Sequence, residues 1–114
     1  MLPSQNRFHR RNHVNRVHKQ GTSVRGKDIS LKYRYNDKSP SKRIAVVVSK
    51  KVSKSAVTRN RIRRRVFEII RGEMDTLDDG FEGVFAVFRD STASMPHDEL
   101  KKHIRDLLGK VKSA

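Results

Sequence analysis

Two short apolar runs, Ile44-Ala45-Val46-Val47-Val48 and Val84-Phe85-Ala86-Val87-Phe88, bracket one long amphipathic segment, and this arrangement limits the fold more than any other feature of the chain. Each run is β-branched or aromatic and too short for a globular helix, so each is expected to be an inner strand. Between them, Ser49 to Arg71 reads SKKVSKSAVTRNRIRRRVFEIIR. On a 3.6-residue period Ile62, Val66, Ile69 and Ile70 fall on one stripe, which predicts a helix that starts after Ser53 to Ser55 and runs to about Glu73. Strands joined through a helix pair in parallel within one sheet. The apolar stripe can then dock on a core while the opposite face points outward.

The rest of the pattern extends that core. Ile29, Leu31, Tyr33 and Tyr35 alternate with Ser30, Lys32, Arg34 and Asn36, the period of a half-buried strand. A shorter strand is expected at Thr22 to Arg25 with Gly26 at its turn, and a loop at Asn36 to Ser41 around Pro40. Gly80 and Gly83 are read as bracketing a loop before the second apolar run. After Pro96, Leu100, Ile104, Leu107, Leu108 and Val111 recur at helical spacing, with Asp98 and Glu99 in the first turn where the helix dipole favours acids. A short helix is expected from about His9 to Gln20, with Gly21 as a stop that tolerates a left-handed cap. The order is α-β-β-β-α-β-α in a single domain over 1–114, with loose tails at 1–6 and 112–114.

Charge says what the surface is for. Residues 1–41 sum to +8, residues 42–71 to +10 and residues 72–114 to −3, within a formal net charge of +15. A solvated helix face normally mixes signs, yet the only acid between Lys42 and Arg71 is Glu68. Asn60, Arg64 and Arg71 lie near the middle of the face opposite the apolar stripe, flanked by Arg61 and Arg63. Guanidinium groups are planar donor forks that keep their charge, and a row of them on a docked helix suits phosphates. A polyanion-binding helix is the reading, with the steep salt dependence of counterion release.

Several chemistries drop out. The chain has no Cys, which removes disulfides, thiolate zinc sites and a cysteine nucleophile. No run approaches the ~18–20 apolar residues of a membrane span. The N-terminal charges are not followed by an apolar run, so no secretory signal is expected, and the His-Asp-Glu-Leu at 97–100 is internal. No Gly-rich phosphate loop or paired-acid spacing is present, and His9 and His13, four apart, lack a third metal ligand at a recognisable distance. No catalytic residue and no protein-bound metal is assigned.

The segments Ser49-Lys50-Lys51 and Ala56-Val57-Thr58-Arg59-Asn60-Arg61-Ile62-Arg63-Arg64 resemble the signature of the bacterial ribonuclease P protein component. Asn6-Arg7-Phe8, the Val17 to Ser23 segment, the strand at 44–48 and the terminal helix stand in the order that family shows, over roughly residues 6 to 110. The resemblance implies an α+β, two-layer α/β sandwich of the ribosomal protein S5 domain 2-like kind, with a left-handed β-α-β crossover against the general right-handed rule. It implies a cytoplasmic, bacterial ribonucleoprotein endoribonuclease whose active site is in its RNA, working with Mg²⁺ held mainly by that RNA. Its partners would be the catalytic RNA and precursor tRNA, with no obligate protein partner and no membrane. Carried over by position, Arg59, Asn60, Arg61, Arg63 and Arg64 face the catalytic RNA, with Lys50, Lys51 and Arg65 as neighbours. A cleft between the first helix and the sheet takes the single-stranded 5′ leader, with Arg7, Phe8, Val14, His18, Lys19 and Tyr33 as its residues. The family often has aromatics where Val14 and His18 stand, which shifts base stacking toward Tyr33, Tyr35 and Phe8. Two other readings share the charge: a ribosomal or other structural RNA-binding protein, and a DNA-binding protein using the basic helix in a groove, for which no helix-turn-helix or dimer seam is recognisable.

Overall fold

The computed structural model describes residues 17, 21–36 and 41–113, with side chains to residue 111. The alternating segment becomes β2 (Ile29–Tyr35), preceded by β1 (Thr22–Arg25) and followed by β3 (Arg43–Val48). The basic helix is α1 (Ala56–Glu73), then come β4 (Phe81–Val87) and α2 (His97–Ser113), with 3₁₀ turns at Met74–Thr76 and Asp90–Ala93. The strands form one sheet in the order β1-β2-β4-β3. As expected, β3 and β4 are parallel, while β2 runs antiparallel to both β1 and β4.

Register decides which side chains meet. Leu31 lies opposite Phe85 and Val46 lies opposite Phe85 on the other side, while Ile29 and Val48 flank Val87. These residues share one face of the sheet and pack with Ile62, Val66, Ile69 and Ile70 of α1 and with Leu100, Ile104, Leu107, Leu108 and Val111 of α2. The stripe read from the α1 sequence is therefore the stripe that is buried. The helix starts where Ser55 stops the extended chain: its hydroxyl accepts from the Thr58 amide at 3.2 Å, satisfying one of the first-turn donors.

Four expectations need correction. Strand β3 is not an inner strand but the sheet edge, and of the two apolar runs only β4 has neighbours on both sides. Its apolar run still fits, because Ile44, Val46 and Val48 fill the core face while Val47 stands 43% exposed. Gly83 does not close a loop: β4 begins at Phe81, and Gly83 sits inside it, opposite Tyr33. A Cβ there would lie 2.7 Å from the Phe81 ring, so the bare backbone lets that ring lie flat on Tyr33, centroids 5.9 Å apart. The expected C-terminal tail is part of a helix as far as Ser113.

The fourth correction concerns Gly21. Among the described residues only Gly80 has positive φ, so Gly21 is no left-handed cap. Its amide donates to the Val17 carbonyl at 2.7 Å, and a Cβ on it would fall 2.3 Å from that oxygen and 2.9 Å from the Tyr33 carbonyl oxygen. Close approach of three backbone segments is what requires glycine. Gly21→Ala is expected to destabilise the fold by about 1–3 kcal/mol, because both obstructing atoms are backbone and neither can rotate away. Urea unfolding measures it, and an unchanged midpoint would contradict the close approach. Val17 is helical and buried, and the rest of the helix expected at 9–20 lies outside the described residues.

Candidate nucleic-acid interface

With its apolar stripe sealed, α1 turns its remaining residues outward, and they divide by what they already hold. Arg61 and Arg64 are exposed, and among the described residues neither has a hydrogen-bond or ion-pair partner. Asn60 and Arg63 are joined, the guanidinium donating to the amide oxygen one turn back. Arg59 reaches back along the chain and donates through Nη1 to the Ser53 carbonyl at 2.8 Å, pinning the segment before the helix. Lys50 and Lys51 stand exposed in the turn that this bond steadies. Val57, 75% exposed, adds an apolar contact beside Asn60, Arg61 and Arg64, with which it lines a shallow groove.

Arg65 does a different job. Its Nη1 donates to the Thr92 carbonyl at 2.7 Å and its Nη2 to the Met95 carbonyl, so the planar fork grips the connection between β4 and α2. Of the residues assigned to the RNA face, Arg65, like Arg59, is already engaged by backbone carbonyls of the protein itself.

A second surface comes from the alternation of the sheet. If Ile29, Leu31 and Tyr33 face the helices, then Ser30, Lys32 and Arg34 face the other way. Pairing arranges that second face in rows: Arg25, Ser30, Ala86 and Val47, then Ser23, Lys32, Val84 and Ala45, then Arg34, Glu82 and Arg43. Apolar groups line β4 and the two rows of β3 beside it, and the cations are Arg25 on β1, Lys32 and Arg34 on β2 and Arg43 at the start of β3. Glu82 is the one acid in these rows, its side chain 2% exposed, with Arg34 Nε 2.7 Å from Oε1 and Arg43 Nη1 3.7 Å from Oε2. A buried carboxylate between two guanidinium groups is compensated, and it fixes both arginines against the sheet.

Of the leader residues expected from the sequence, Arg7, Phe8, Val14, His18 and Lys19 lie outside the described residues. Tyr33 is placed where it cannot stack on a base: it is 7% exposed, on the helix side, against Phe81. The neighbour that reaches the second face is Lys32. Tyr35 is 42% exposed at the end of β2, edge-on to Tyr33 and Phe81, and partial burial, then Asp78 and Tyr33, hold its phenol above the usual range. Arg25, Lys32 and Phe88 were missed on the second face, and the signal was available in the alternation that places Tyr33 in phase with Ile29 and Leu31.

The family model described as Ribonuclease P matches residues 2–112. A ribonuclease P protein component from a Pseudanabaena species is 42% identical over 113 residues, covering 98% of this chain and 96% of the relative. One from Desulforamulus reducens is 33% identical over 95 residues, covering 83% of this chain and 81% of the relative. In fold, the chain is similar to the RNase P protein of Staphylococcus aureus, with a TM-score of 0.82 at 21% identity over 94% of this chain and 95% of that one. The RNase P protein of Thermotoga maritima gives 0.79 at 22% identity over 91% and 96%. Sequence along nearly the whole length and a shared two-layer fold agree: the chain belongs to the ribonuclease P protein family.

Proposed function

We propose that this chain is the RNA-positioning subunit of a ribonucleoprotein that removes the 5′ leader from precursor tRNA, with the bond broken by the RNA. The role in tRNA 5′ processing comes with the family; the division of labour is the proposal. The observation that carries it is the pair Arg61 and Arg64, exposed and unengaged on a helix whose opposite stripe is locked in the core. The backbone that carries these cations is already fixed, so only their side chains are ordered on meeting phosphates, and α1 suits a large structured RNA. The second sheet face, apolar along β4 and β3 and cationic along β1 and β2, suits an unpaired strand. Holding both ligands, the protein favours precursor over mature tRNA by binding what only the precursor has.

The Mg²⁺ that cleavage requires belongs to the same proposal as a metal held mainly by the RNA, and among the described residues no group of three or more His, Asp or Glu side chains could hold a metal ion. No described helix is long and apolar enough to cross a membrane, and a bacterial cytoplasmic setting belongs to the same proposal. A purely structural RNA-binding role is not favoured, since the family match spans almost the entire chain. The test is cleavage of precursor tRNA by protein stripped of RNA, then after addition of a bacterial ribonuclease P RNA with Mg²⁺. No product is expected from the protein alone, and cut leader is expected from the mixture. Cleavage by the stripped protein would refute the assignment of the active site.

A further inference from the structure

With Tyr33 sealed in the core, the second sheet face needs another aromatic if an unpaired base is to stack there. We propose that Phe88, paired with Arg25, is the base-stacking site of this chain, taking an unpaired base of the leader; the proposal rests on the leader reading above. Phe88 leaves β4 in phase with Val84 and Ala86, so its ring stands on the second face, where it is 45% exposed. Single exposed apolar side chains are ordinary. This one has two further properties. The Arg25 guanidinium carbon lies 5.9 Å from the ring centroid, a cation–π geometry, and guanidinium planes stack on bases as aromatic rings do. The ring also borders a groove of about 380 Å³ whose walls include Ser23, Arg25, Ser30 and Lys32 and whose floor includes Ala86. That size lies within the range of sites for nucleotide-sized ligands.

The pair is held in place by the backbone on both sides. The Phe88 amide donates to the Asp28 carbonyl at 2.9 Å, and Lys110 Nζ donates to the Arg25 carbonyl at 3.0 Å. From Phe88 down β4 to Glu82 the second face extends about 20 Å at the usual rise of a strand. It therefore offers a stacking end at Phe88 and Arg25 and an arginine end at Arg34 and Arg43. Aromatic plane, cationic walls and an elongated lane are the parts by which proteins hold single strands without reading sequence.

The chain contains no Trp, so Phe88→Trp installs a single indole reporter at the site. Reconstituted holoenzymes carrying wild-type protein, Phe88→Ala or Phe88→Trp are titrated with tRNA with and without a leader of several nucleotides. Phe88→Ala should lose about 5- to 150-fold in precursor affinity, the worth of one base–aromatic stack, with mature-tRNA affinity and RNA assembly unchanged. Phe88→Trp should keep precursor affinity, and its emission should change with the leader-bearing ligand alone. Replacing the leader's bases with abasic positions should erase the difference between wild type and Phe88→Ala. If the wild type prefers precursor and Phe88→Ala prefers it equally, the stacking site is wrong and the leader reading stands. If the wild type shows no preference, both fail.

Discussion

Replacing Arg61 and Arg64 together by alanine is expected to weaken binding of the catalytic RNA by about 2–5 kcal/mol while leaving the fold intact. Each forfeits a charge-assisted contact worth about 1.5–3 kcal/mol at best, less where the phosphate stays partly hydrated. Neither side chain supports the protein, so urea unfolding should not move. The dependence of log affinity on log salt should flatten by roughly the number of phosphate contacts removed. Arg65→Ala is the contrasting control: it should lower stability, because the Thr92 and Met95 carbonyls lose their donor. Normal RNA affinity in the Arg61/Arg64 variant, measured by filter binding across a salt series, would remove α1 from the RNA interface.

Phe85→Ala carries the largest expected loss of stability. Phe85 is fully buried at the middle of the sheet, with Leu31 opposite on one side and Val46 on the other, under the stripes of both helices. Deleting the ring leaves a cavity that several elements would have to move together to fill, which costs about 3–5 kcal/mol. Domains of this size have only about 5–15 kcal/mol in total. The variant should show a much lower urea midpoint or populate the unfolded chain outright, and a shift below 1 kcal/mol would mean the register is wrong.

The helices and the parallel pair were legible because each depends on a local pattern. The spacing of Ile62, Val66, Ile69 and Ile70 specifies one buried stripe whatever lies beneath it. Strand position was not legible in the same way: a run such as Ile44 to Val48 reports hydrophobicity, and an edge strand with one exposed valine reads much like a central one. The beginning of β4 was hidden because Glu82 and Gly83 look like loop residues, and their reasons lie far away in sequence, at Arg34, Arg43 and Tyr33. For the interface, sequence located the basic helix but could not tell unengaged cations from those used internally, since Arg59 and Arg65 differ from Arg61 only in what lies within reach. Tyr33 was misplaced for the opposite reason. Chemical type, an aromatic suited to stacking, was allowed to outweigh phase.

The grip of Arg65 on the 92–95 carbonyls has a mechanical side. The clamped turn begins four residues after Phe88, and α1 is the helix proposed to meet the large RNA, so the guanidinium works as a strut between that helix and the end of the sheet. A lysine could not replace it, because a point charge on a pliable stem does not hold two carbonyls at a set spacing. Under the proposed function, an RNA seated on α1 would bear on the same helix that holds the segment beyond β4, so the spacing between the two proposed RNA surfaces would be set by the protein's own framework, as a ruler sets a length.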